Sequence, residues 1–168
     1  MSAETTIALV VLVVAVPLLW WLMWRGWRGR HERQADVPAP PVVPEGFSAD
    51  LVAGAEGTYV TSTRAGEQLE RVVPHGLGVP SAVVVRVGRA GVLLERRGAP
   101  DVWVPAADLL GARVQRGLIG KVVDAEGLLV LTWRLGDVTL DTGVRLRREA
   151  DRRPVLAAVT GLTGQDTP

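Results

Sequence analysis

The sequence predicts a mainly β protein carried on one N-terminal transmembrane helix, with an antiparallel β-barrel or sandwich capped by a C-terminal helix. Three observations lead there. Residues 7–24 (IALVVLVVAVPLLWWLMW) run for eighteen positions without a charge. From Phe47 onward, short runs of Val, Leu and Thr are cut by Gly, Asp and Pro, the pattern of strands and turns. Near the C-terminus, residues 151–160 change from alternation to helical spacing. A length of 168 residues suits one domain with an appendage.

At about 1.5 Å per residue, the apolar segment makes a helix of roughly 27 Å, close to the thickness of a bilayer's hydrocarbon core. Its apolar residues lie all round, so it lacks the polar stripe of a helix lying in the interface. Pro17 would break a helix in water, but Pro is tolerated in membrane helices. Trp20, Trp24 and Trp27 share one helix face and form an aromatic belt at one end. Arg25, Arg28, Arg30 and Arg33 follow, with Glu32, while residues 1–6 carry Glu4 and no Lys or Arg. The positive-inside rule places residues 1–6 outside and everything after Arg25 in the cytoplasm, which makes this a single-pass protein of the inner (plasma) membrane. A secretory signal peptide would carry its charges before the apolar core and a small-residue cleavage site after it; this order is reversed, with Trp where cleavage would fall. The Trp/Arg stretch is better suited to anionic lipid headgroups than to stacked bases.

Residues 25–46 are expected to be a basic juxtamembrane segment and linker. Pro38, Pro40, Pro41 and Pro44 favour extended polyproline II, a semi-rigid stalk.

Residues 47–162 form the predicted β domain. Strands are expected at 58–63, 69–73, 82–87, 91–95, 101–104, 112–115, 121–123, 128–135, 138–140 and 144–147. Turns are expected at 87–91, 124–127 and 135–137, where Gly supplies positive φ. Alternation in Val83-Val84-Val85-Arg86-Val87 marks a sheet with one wet face. A short helical turn is expected over 105–110. A helix is expected over 151–160, with Asp151 as N-cap, Pro154 in the first turn, and Val155, Leu156 and Val159 facing the core. Trp103 and Trp133 are expected in the core. Residues 163–168 are expected to be a frayed tail.

The strand GTYVTST, the hairpins AVVVRVGRAGVLLERRG and LLVLTWRLGDVTLDTGVRLR, the stretch LLGARVQRGLIGKVV and the WRGW boundary after the span resemble a family of small actinobacterial membrane proteins. Those have one N-terminal span, a Pro-rich linker and a pleckstrin-homology (PH)-like domain. The resemblance covers most of the chain. It implies a PH-like barrel and carries no functional residue with it.

Composition narrows the chemistry. There is no Cys, so disulfides, thiolate metal sites and Cys nucleophiles are excluded. Basic and acidic residues nearly cancel, 19 against 18, which gives no field for nucleic acid. His75 is the only His after the span region and has no partner spacing for a metal, so it reads as a solvated loop residue. Ser48, Ser62 and Ser81 lie outside any nucleophile elbow. Gly117-Leu118-Ile119-Gly120-Lys121 resembles the end of a phosphate loop, but Val122 stands where Ser or Thr belongs. Asp137 and Asp141 read as polar sheet positions. No catalytic, metal or cofactor site is expected.

The function expected is therefore a non-enzymatic binding or scaffold module. It would use an edge strand, or the groove beside the C-terminal helix, to take a protein partner. The alternatives are an accessory subunit of a transporter complex and a sensor of anionic lipid or phosphoinositide headgroups. The sensor would use Arg64, Arg71, Arg86 and Arg89, the arginines flanking the first two hairpins. Arg145, Arg147 and Arg148 are a further candidate patch toward membrane or partner.

Overall fold

The computed structural model describes residues 15–21, 37–67, 71–115 and 127–164. The chain divides into two compact units, Met1–Asp36 and Val37–Pro168. In the first, residues 15–21 are helical, and Val16, Leu18, Leu19, Trp20 and Trp21 are exposed. The rest of the expected span, with Trp24, Trp27, Arg25, Arg28 and Arg30, lies outside the described residues. Among the described residues no helix is long and apolar enough to cross a membrane.

The second unit holds strands β1 (Val52–Arg64), β2 (Ser81–Gly88), β3 (Gly91–Arg97), β4 (Val102–Pro105), β5 (Leu109–Gln115), β6 (Leu128–Leu135) and β7 (Val138–Leu146), then helix α1 (Glu149–Thr163). They form one antiparallel sheet in the order β4-β3-β2-β1-β7-β6-β5. β1 joins its two halves. Its first residues pair with β2, its last with β7, and Gly57, Thr58 and Tyr59 pair with both. A bulge between Tyr59 and Thr61 reverses the side-chain parity. Tyr59 points inward, Val60 packs outward with Leu128 and Val130, and Ser62 points inward again. Gly57 is required at the double pairing, because a Cβ would run into the carbonyl oxygen of Arg145.

Inward residues of all seven strands join one core with Val155, Val159 and Leu162 of α1. The sheet therefore wraps around a single core, and α1, in contact with β1, β2, β3, β5 and β7, caps it. Each fully buried Leu or Val of this core contributes about 1.5–3 kcal/mol over leaving it exposed.

Several elements differ from expectation. No strand forms at 71–73; Arg71 makes one isolated bridge with Thr63 before Pro74 opens a 3-10 turn. Residues 138–140 and 144–147 belong to one continuous strand, β7, because Asp141 and Thr142 keep their backbone pairing and find side-chain partners. The helical turn expected over 105–110 shrinks to Ala106–Asp108, and Leu109 and Leu110 open β5. Helix α1 starts at Glu149, so Asp151 lies in its first turn instead of capping it, and Pro154 sits inside. Arg148 is the N-cap and makes no side-chain cap bond. The expected strand at 121–123 lies outside the described residues.

The Pro-rich segment is the largest departure. From residue 37 it packs on the domain it was expected to hold at a distance. Val37 is buried in the core, its carbonyl oxygen accepts a bond from Nε2–H of His75 at 3.0 Å, and Pro38 meets Gly136. Phe47 stacks edge-on against Trp103, 4.8 Å between ring centroids. Four prolines make a poor strand but an already extended strap, which loses little entropy on docking.

Candidate binding surfaces

The interior is polar where β1, β3, β6 and β7 converge. Tyr59 Oη donates to the carbonyl oxygen of Leu77 at 2.7 Å, which uses its only proton. Ser62 must then donate to Tyr59 (2.7 Å), Thr142 to Ser62 (2.7 Å), and Trp133 Nε1–H to Thr142 (2.9 Å). Every hydroxyl in this chain donates once and accepts once. All four side chains are wholly shielded from solvent, so the satisfied chain rigidifies the core rather than penalising it.

Arg96 closes the network. Residues alternate along β3, and Val92 and Leu94 face inward, so Arg96 does too. Its guanidinium lies 3.9 Å from the centroid of the Tyr59 ring. It donates to Ser81 Oγ and to the carbonyl oxygens of Gly76, Val79 and Pro100. Its backbone N–H donates to Asp101. One arginine thus ties the β1–β2 loop to the β3–β4 turn. Burial pushes the Arg96 guanidinium below its usual range, opposed by Tyr59 and Asp101. Burial also raises the Tyr59 phenol, opposed by the bond from Ser62 and by Arg96. The period-two spacing Val92, Leu94, Arg96 was the available signal for this arginine, hidden beside Arg97 in a charged pair.

The four arginines considered for lipid headgroups are not brought together. Arg64 ends β1, and Arg71 lies beside that end through its bridge to Thr63. Arg86 and Arg89 lie at the other end of the strand. Arg86 pairs with Glu95 at 2.8 Å and donates to the carbonyl of Ala53, while Arg89 pairs with Asp50 at 3.2 Å. Asp141 is buried on the outer face, held by both terminal nitrogens of Arg113 and by Thr132 at 2.6 Å; Asp137 is exposed in the β6–β7 turn. The two carboxylates do not form a pair. His75 is exposed, as a loop histidine should be, but adopts φ 55° and holds Val37. Trp133 lies in the core, whereas Trp103 is buried on the outer face of β4 under Phe47. Among the described residues no cluster of His, Asp or Glu could hold a metal ion.

The sheet has two edges. β4 spans four residues and ends on Pro105, and Phe47 covers Trp103 at its centre. Short length, Pro and cover are how proteins blunt an edge. β5 is seven residues long and contains no Pro. Among the described residues it pairs only with β6. Beside it, Val114, Glu149, Ala150, Arg152, Arg153 and Leu156 line an open groove of about 580 Å³ between β5 and α1. Val114 is 41% exposed despite being apolar. Glu149 is engaged by Arg152 at 3.4 Å, which leaves the groove a surplus positive charge on Arg153.

A seven-stranded antiparallel sheet wrapped round one core and capped by a C-terminal helix is a PH-like domain, a fold consistent with a binding or scaffold module. The chain belongs to the bacterial PH domain-like family, whose model matches residues 37–160. That match begins at the residue where the strap enters the core. A comparison with curated proteins finds no match.

Proposed function

We propose that this protein is a membrane-anchored, non-enzymatic binding module. It takes an extended segment of a protein partner as an added strand on β5, beside α1. The observation that carries the reading is the β5 edge, seven residues without Pro or cover among the described residues, next to a groove with an apolar floor. An incoming strand would bond its main chain to β5, which gives affinity, and would set alternate side chains against Val114 and Leu156, which gives specificity. The side-chain oxygen of Gln115, at the end of β5, is shielded and lacks a hydrogen-bond partner among the described residues, so a donor is wanted there. The charge on Arg153 favours a partner with an acidic residue beside its apolar ones.

The anchor is the apolar segment 7–24, with the domain in the cytoplasm. Its support is the uncharged run, the exposed apolar surface of residues 15–21, and the one-sided Trp and Arg belt. Extraction of native membranes at alkaline pH should leave the chain in the pellet, and protease added outside intact cells should spare the domain. Digestion of the domain would overturn the orientation.

The binding reading is tested with a photo-crosslinker at Val114 in the full chain at native expression, and a control at Val42, which is 89% exposed. The expected product is one partner joined at Val114 only, through a short segment of alternating apolar residues with a nearby carboxylate. Equal products at both positions, or a joined segment that is helical in its partner and stays so in the complex, would refute strand addition.

A further inference from the structure

We propose that the solvent-facing side of the sheet holds a site for a single phosphate group, in a trough floored by Ala82 and Val84 and walled by Arg97 and Arg147. The register builds it. Arg97 pairs with Ala82, Ala82 with Thr58, and Thr58 with Arg145, so these four form one row across β3, β2, β1 and β7. The small side chains of Ala82 and Thr58 are in the middle of the row and Arg97 is at one end. Arg147, just past the end of β7, bounds the trough on the other side. The next row runs Glu95, Val84, Glu56 and then Arg147, whose N–H bonds the carbonyl of Glu56. Between the two rows lies a pocket of about 130 Å³ lined by Glu56, Ala82, Val84, Arg97 and Arg147. Thr58, next to Ala82 in the first row, is exposed.

Charge and size set the ligand class. Glu95 is engaged by Arg86 and Glu56 by Arg147, both at 2.8 Å. Among the described residues Arg97 has no ion pair, so the trough carries a local positive surplus for an anion. Arg97 is exposed at the end of β3. The Glu56–Arg147 pair is itself exposed, with 65% and 75% of the side chains open to solvent; such pairs are worth little. A phosphate oxyanion makes stronger, charge-assisted bonds to guanidinium, so Arg147 can exchange Glu56 for it. The trough suits one tetrahedral oxyanion and is too small for a headgroup bearing several phosphates. This site lies on the strand faces, apart from the β5 groove, and does not depend on the proposed partner.

The test uses the full chain in neutral detergent micelles, titrated with inorganic phosphate and followed through its arginine Nε–H resonances. The signals of Arg97 and Arg147 should move, while those of Arg113 and Arg134 stay still. Arg97→Gln should weaken binding about tenfold. Glu56→Gln should tighten it several-fold by removing the internal competitor. Both changes are on the surface, and unchanged thermal melting confirms that both variants fold. A second arm places the chain in phosphatidylcholine nanodiscs with or without phosphatidic acid. Shifts with inorganic phosphate alone identify a soluble phosphate, and shifts in the phosphatidic acid discs identify a lipid headgroup. Unmoved Arg97 and Arg147 signals in both arms, or equal effects of the two substitutions, would overturn the site.

Discussion

Arg96 and Arg97 follow one another on β3, yet one is 6% exposed and the other is on the open face of the sheet. Arg96 is a structural cation. Three backbone carbonyls, Ser81 and the face of Tyr59 replace the water it lost. Arg97 borders a shallow trough and has no ion pair among the described residues. The same side chain acts as interior clamp or as surface charge according to which side of a strand it leaves. A desolvated guanidinium must be fully bonded, and once it is, its removal leaves its partners buried and unpaired.

The sharpest way to break this contrast is Arg96→Ala. It strips bonds from Gly76, Val79, Pro100 and Ser81 together and should cost about 3–5 kcal/mol, since each shielded acceptor left unpaired costs about 1–3 kcal/mol. Urea unfolding measures it, and a loss under about 1 kcal/mol would show that water replaces the guanidinium at little cost. Thr142→Val comes next. It leaves Trp133 Nε1–H and Ser62 without their partner, so about 2 kcal/mol should be lost. Trp133→Phe should cost less on top of it than in the parent, because the donor it removes is already orphaned.

Tyr59 sharpens the contrast through pH. Burial raises its phenol above the usual 10.0. Above that pH the unfolded chain releases a proton that the folded chain retains, so alkalinity favours unfolding. The stabilisation is whole below about pH 10 and declines as pH climbs toward the folded value. Tyr59 is the only tyrosine, so Tyr59→Phe should abolish the phenol's share of the decline, read from urea midpoints between neutral and alkaline pH. An unchanged alkaline slope would mean that Tyr59 ionises as freely folded as unfolded. The smallest effect belongs to Arg97→Ala, within about 0.5 kcal/mol of the parent. A larger loss would place Arg97 with Arg96 as part of the scaffold.

Much of the β domain was legible along the chain. β2, β3 and β6 fall where the runs of Val and Leu between turn residues place them, and a one-residue slip would turn their inward faces outward. The β6–β7 turn follows from Gly136, which takes φ 60°. The sequence alone divides β7 into two strands around Asp141 and Thr142. Their partners, Arg113, Thr132, Ser62 and Trp133, are distant in sequence and enter no local pattern. The groove beside the last helix was anticipated as a kind of site, but its residues depend on which strand ends the sheet. The row Arg97, Ala82, Thr58, Arg145 is invisible in one dimension, since three separate registers must add up to form it.

The sequence by itself determined the local grammar: an uncharged run long enough for a bilayer, alternation for strands, glycines at turns, and one helix at the end. These follow from periodicity, chain entropy and transfer free energy, which act over a few neighbouring residues. Only the tertiary structure decided that the Pro-rich strap docks from Val37, that Arg96 is interior while Arg97 is not, and that β5 ends the sheet among the described residues. Those outcomes depend on desolvated groups finding partners far along the chain, and that pairing exists only once the sheet has closed around its core.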